Sequence, residues 1–194
     1  LFIKEAKGHS NLPDNSSYIV ASNHASHLDP FLIASLIFKK KSIIVRYIGK
    51  EESLNKPLWS FIYNIFDVIP VNRNSKSEYE ITIKKTIKHL KDGSIIGIFP
   101  EGRRTPDGKI HKFKTGVSRI AIYSNAKVIP LAIKGTYRLW PRHNRFPKIS
   151  RIVKIKIGNP IKFDQYKNKK ISRKMLRLTT NLIRKEVTRL YSSI

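Results

Sequence analysis

Tyr18-Ile19-Val20-Ala21-Ser22-Asn23-His24-Ala25-Ser26-His27-Leu28-Asp29-Pro30 is the stretch from which the rest of the chain can be read. Its first four residues form a short apolar run with β-branched members, the pattern of a buried strand. Its last two open an apolar run that reaches Phe38, and they predict a helix start with Asp29 at the cap and Pro30 at the first helical position. Between strand and helix lies a polar turn carrying two histidines and, at its end, an acid.

The same alternation continues along the chain. Further runs of strand character are Ser42–Ile48, Val68–Val71, Ser94–Phe99, Val128–Lys134 and Val153–Ile157. Stretches of helical character are Pro30–Lys39, Glu52–Tyr63, Glu78–Leu90, Gly116–Ser124 and Ile171–Tyr191. This order predicts an α/β fold with a mainly parallel sheet covered by helices. Ser77 and Glu80 have the spacing of a capping box for the third helix, and Asp92-Gly93 closes it. The last helix repeats apolar residues at Ile171, Met175, Leu178, Leu182, Val187 and Leu190, with Arg173, Lys174, Arg177, Arg184 and Lys185 largely opposite.

With 194 residues, 40% hydrophobic content and neither a repeat nor a linker, the chain is expected to be one domain over 1–194. Cysteine is absent, which excludes a disulfide framework, a thiolate zinc site and a cysteine nucleophile. Lys and Arg number 39 against 13 Asp and Glu, a net charge of +26 that favours anionic partners: nucleic acid, an anionic bilayer, a polyphosphate or an acidic protein. The longest apolar run, Pro30 to Phe38, falls short of the ~20 residues that a spanning helix needs, so membrane contact is expected to be peripheral. The first residue is Leu1, which leaves an anchoring segment upstream open.

A turn from His24 to Asp29 would let one ring nitrogen meet the carboxylate. That contact fixes the tautomer and leaves the other nitrogen to take a proton from a hydroxyl. With no Gly-x-Ser-x-Gly elbow in the chain, the base would act directly on a substrate alcohol. A metal site built from His24, His27 and Asp29 is the rival reading of these residues. Downstream, Phe99-Pro100-Glu101-Gly102-Arg103-Arg104-Thr105 follows a strand and leads into the turn Pro106-Asp107-Gly108. Two guanidinium groups beside a flexible glycine suit phosphate oxygens, and Glu101 would hold an arginine or a substrate hydroxyl. Arg73 follows the strand at 68–71.

Taken together, Asn23-His24 through Asp29, Val68 to Arg73, Phe99 to Arg104 and Val128-Ile129-Pro130 resemble the ordered blocks of the lysophosphatidic acid (1-acylglycerol-3-phosphate) acyltransferases of bacterial type. The resemblance implies His24 as general base and Asp29 as its orienting partner. It implies that Arg73, Glu101, Gly102 and Arg104 bind the glycerol phosphate and that Pro130 shapes the acyl-donor region. Arg103 stands where the family has Thr or Ser, and both a phosphate contact and an outward orientation are open to it. The implied reaction moves an acyl group from acyl-CoA or acyl carrier protein to a lysophospholipid in phospholipid biosynthesis, without metal or cofactor, at the cytoplasmic face of an anionic membrane. Another lysolipid acceptor is an alternative. So is a basic nucleic-acid-binding module, although the cations are spread along the chain without a recognition motif. The helix Pro30–Phe38 and the stretch Leu58–Phe66 would line an acyl groove or form ordinary core, and Trp59 and Trp140 suit a membrane interface.

Overall fold

The structure is a computed structural model that describes residues 1–14, 17–41, 43–53, 57–72, 74–141, 144, 146–166 and 169–194. For residues 40, 41, 53, 57–59 and 61 it describes the backbone alone. Arg73 and the side chain of Trp59, both singled out above, lie outside what is described.

Among the described residues seven strands form one sheet: β1 (Ile3–Lys7), β2 (Tyr18–Ser22), β3 (Val45–Lys50), β4 (Ile69–Val71), β5 (Ile95–Ile98), β6 (Lys127–Lys134) and β7 (Val153–Ile157). Their spatial order is β1-β7-β6-β2-β5-β3-β4. Every pairing is parallel except β6 with β7, so the predicted mainly parallel sheet is what forms. The helices are α1 (Asp29–Lys41), α2 (Pro57–Ile65), α3 (Lys76–Lys91), α4 (Gly116–Ser124), the single turn α5 (Thr136–Leu139) and α6 (Arg173–Ser192).

Both faces of the sheet are covered, which is why β2 is buried at every residue instead of alternating. Tyr18 and Val20 face the core layer shared with Ile33 and Ile37 of α1. Ile19 and Ala21 face the opposite layer, with Ile83 of α3, Ile120 of α4 and Val187 of α6. From β2 the chain crosses to β3 on one side, and from β5 it crosses back past β2 to β6. The carboxyl ends of β2 and β5 therefore lie where an open parallel sheet changes winding direction, the usual place for a ligand crevice.

Several elements differ from expectation for physical reasons. β1 carries Lys4, Glu5 and Lys7 on an edge, where solvent tolerates charge, so hydropathy gave it no strand signal. The helix expected over 52–63 is a 3₁₀ turn, Glu51–Ser53, followed by α2, and the strand expected from Ser42 begins at Val45. α3 is capped by Ser75, whose hydroxyl accepts from Glu78 N, two residues before the predicted Ser77. Glu80 is thereby released from a capping role and pairs with Arg119 of α4. The close at Asp92-Gly93 does form, with Ser94 N on His89 O and Gly93 N on Leu90 O. On α6 the buried face is Thr179, Thr180, Ile183, Val187 and Leu190, leaving the expected core residues Leu178 and Leu182 at 56% and 45% exposure. Thr180 is admitted because its hydroxyl meets that of Ser118 at 2.7 Å.

One buried side chain ties β2 to β6 just beyond their ladder. Asn23 Oδ1 accepts from Ile133 N and Asn23 Nδ2 donates to Ile133 O, both at 2.9 Å. The amide thus stands in for a peptide unit while the chain turns out of the sheet toward His24. Asn23→Ala orphans both backbone groups at about 1–3 kcal/mol each. Its urea midpoint is expected to fall with an unchanged denaturation slope, and an unaltered midpoint would refute this bracing role.

Candidate active site

The turn leaving β2 is organised around one oxygen. Asp29 Oδ2 accepts from Ala25 N and Ser26 N, both at 2.7 Å, and contacts His24 Nδ1 at 2.8 Å. Asp29 is fully buried, whereas the His24 side chain keeps 18% exposure. Because Oδ2 already accepts two amides, the imidazole donates to it: the proton sits on Nδ1 and Nε2 keeps its lone pair. The carboxylate thus points back over residues 24–26 and does not cap α1, correcting the helix-cap reading. The first helical turn instead uses Leu28 O, which accepts from Leu32 N at 3.0 Å.

The second wall is the loop leaving β5. Glu101 is buried, and its two oxygens accept from His24 N at 2.9 Å and His111 N at 3.1 Å. Thr105 N donates to His24 O at 2.8 Å, so both backbone polar groups of His24 are gripped by this loop. Each Glu101 oxygen is thus engaged by a backbone amide and keeps acceptor capacity for a second partner. Burial raises its pKa, while the two amides act in the opposite sense. The loop turns at Gly102, whose φ of 75° suits glycine, and a Cβ there would approach Lys114. Its far end is fixed by Asp107, whose Oδ1 meets Thr105 Oγ1 and His111 Nε2, each at 2.8 Å. These bonds, that from Thr105 first, hold the Asp107 carboxyl well below the usual range.

A ring stack backs the imidazole. His24 lies on Phe99 with centroids 4.0 Å apart, and Phe99 lies on Tyr47 at 5.7 Å. Tyr47 in turn donates to Pro30 O at 2.9 Å, tying the stack to α1. Gly97 makes room for it, since a Cβ at that position would sit 2.2 Å from the Tyr47 ring.

The two adjacent arginines part company. Arg104 is half-buried, and its charge is felt by His27. The His27 ring packs against Trp140 at 5.0 Å, and the Trp140 indole N–H donates to Asn144 O, so this tryptophan borders the site. Arg103 is exposed and lines a basin with Lys112 and Lys114. Pro130 is not brought to this loop: it is buried within β6, in register with Ala21 and close to Gly158. Among the described residues no three His, Asp or Glu side chains gather as metal ligands, so His24, His27 and Asp29 do not form such a group.

A mainly apolar pocket of about 520 Å³ lies behind Phe99, where Ile48, Val71, Tyr79, Ile83, Val117 and Ile120 share the wall with Lys76, Thr82 and Lys114. It lies on the α3–α4 side. Of the two readings open for α1, groove wall or ordinary core, the helix takes the second, packing Leu32, Ile33, Ala34 and Ile37 into the core. Composition could not reveal the roles of Thr105 and His111, which act through backbone N–H groups that carry no residue signature.

The chain has counterparts among known proteins. The family model described as Acyltransferase matches residues 4–134. A 1-acyl-sn-glycerol-3-phosphate acyltransferase of Cocos nucifera is 32% identical, over 81% of this chain and 50% of its own. One of Bacillus subtilis is 33% identical, over 64% of this chain and 59% of its own. The crystal structure of the 1-acyl-sn-glycerophosphate (LPA) acyltransferase PlsC of Thermotoga maritima superposes with a TM-score of 0.71 at 26% identity, covering 96% of this chain and 71% of that one. The chain spans about half the length of the coconut relative. With the family model covering more than half of its residues, the chain belongs to the acyltransferase family.

Proposed function

We propose that the protein transfers a fatty acyl group from a thioester to the free glycerol hydroxyl of lysophosphatidic acid, giving phosphatidic acid for phospholipid synthesis. The observation that carries this reading is the 2.8 Å contact between His24 Nδ1 and buried Asp29, on a turn whose backbone is held by the Glu101–Thr105 loop. The names of the relatives in coconut and Bacillus subtilis support the acceptor.

In this reaction His24 Nε2 takes the proton of the glycerol hydroxyl as its oxygen attacks the thioester carbonyl. The tetrahedral oxyanion collapses, the carbon–sulfur bond breaks, and the proton on His24 passes to the departing thiolate. Asp29 stabilises the imidazolium between these steps. Arg104, with Arg73 by family resemblance, holds the acceptor phosphate, so that only one hydroxyl reaches the base. The apolar cavity behind Phe99 takes the acyl chain of the donor, acyl-CoA or acyl carrier protein. The chemistry as written calls for no metal or resident cofactor. No helix among the described residues is long and apolar enough to cross a membrane. The +26 charge supports attachment to the anionic cytoplasmic face of the bilayer, where the acceptor resides.

His24→Ala is expected to lower kcat by at least ~10²–10⁴ while lysophosphatidic acid still binds, and Arg104→Ala to act mainly on acceptor KM. Full activity without His24 would end the proposal. His27 should stay neutral during turnover, because burial first, and then the Arg104 charge, lower its pKa to about 4. The unfolded chain therefore binds a proton on this residue between pH 6.5 and about 4 that the folded chain does not, and stability from this group declines as pH falls through that window. His27→Gln should flatten the decline measured by denaturation, and a ring titrating near 6.5 by NMR would contradict the assignment. In flotation, the protein is expected to rise with anionic vesicles at low salt and be released at high salt; equal recovery with zwitterionic vesicles would count against charge-driven attachment.

A further inference from the structure

Between the Glu101 loop and the amino-terminal half of α6 opens a basin of about 930 Å³. Arg103, Lys112 and Lys114 of the loop face Arg177 of α6 across it, with Asn181 alongside. All four cations are exposed. The one acid on its wall, Glu101, is buried and engaged by the amides of His24 and His111. The ion pairs found among the described residues involve none of Arg103, Lys112 and Arg177.

The basin and the apolar cavity behind Phe99 meet at the same three residues, Gly102, Lys114 and Thr115. A ligand with an apolar tail in one and a polyanionic head in the other would pass Gly102, bringing its middle beside the Phe99–His24 stack. The acceptor does not need this second anion site, because its single phosphate is assigned to Arg104 on the His27 side.

We propose that the basin binds the phosphorylated nucleotide portion of coenzyme A, with its diphosphate and 3′-phosphate between Arg103, Lys112, Lys114 and Arg177. The choice of ligand rests on the acyl-transfer reading above. Cations converging from a loop and a helix on a concavity suit a compact polyphosphate, and ligand pockets of about 300–1,000 Å³ are of nucleotide size. A carrier protein presents a convex acidic surface that would meet the rim and leave the basin itself unfilled. Arg103, the departure from the family pattern, thereby gains a role distinct from that of Arg104.

Adenosine 3′,5′-bisphosphate, which carries no acyl group, is titrated calorimetrically into the protein and into Arg177→Ala and Lys112→Ala. Lys91→Ala, an exposed lysine of α3 outside the basin, controls for general charge. Each basin variant is expected to weaken binding roughly tenfold, the Lys91 variant to leave it unchanged, and acyl-CoA KM to rise in parallel while acceptor KM stays put. Acyl-pantetheine, which lacks the nucleotide, should have a KM at least ~10-fold above that of acyl-CoA with the unaltered protein. The proposal is overturned if the nucleotide does not bind, if all three variants weaken it alike, or if acceptor KM rises instead. Efficient use of acyl carrier protein, with a KM raised by Arg177→Ala and no nucleotide binding, would assign the surface to a carrier and also overturn it. Nucleotide binding in the basin without any acyl transfer would uphold the site and remove the reaction proposed above.

Discussion

The site depends on one buried carboxylate oxygen satisfied from three directions. Asp29 Oδ2 gathers the amides of Ala25 and Ser26 and the ring of His24, so a single acid folds the turn and sets the tautomer together. Burying an ionisable group without partners is costly, and the turn supplies partners from its own backbone. This explains why the acid lies five residues beyond the histidine. The chain has to loop back over the carboxylate before α1 can leave, and the first residues of that helix complete the loop.

The second constraint is the loop after β5. It grips His24 by its main chain and leaves the imidazole to Asp29, so backbone position and ring orientation are fixed by different elements. Because β2 and β5 are adjacent parallel strands, their carboxyl ends emerge side by side, and residues 24 and 101 meet although 77 positions separate them. The sheet makes that meeting a matter of register, Ala21 opposite Ile98.

Much of this was legible in the sequence, and what was missed has identifiable causes. α4 and β7 fall on their expected bounds, and the fold class follows from the alternation of strand and helix signals. The contact of His24 with Asp29 was readable because a five-residue spacing across a strand–helix junction leaves few geometries. Ser75-x-x-Glu78 and Ser77-x-x-Glu80 satisfy the same capping rule, so sequence alone could not choose between registers; the Glu80–Arg119 pairing shows which one packs. On α6 the threonines displaced leucines from the core, because the Thr180–Ser118 hydroxyl pair lets polar residues be buried where hydropathy assigned them to solvent. The amide contacts of Glu101 were not legible, because side-chain chemistry suggests an arginine or a hydroxyl as its partner and main-chain amides carry no residue signature.

The stack of Tyr47, Phe99 and His24 also links a site of chemistry to a residue that has none. Gly97 carries no side chain, yet the space it leaves sets where Tyr47 rests, and through two aromatic planes where the imidazole rests. A hydrogen atom in place of a side chain in mid-strand therefore acts as a spacer for the His24 ring. Tolerance to substitution around this site should follow the order of ring contacts more closely than distance from the proton being moved.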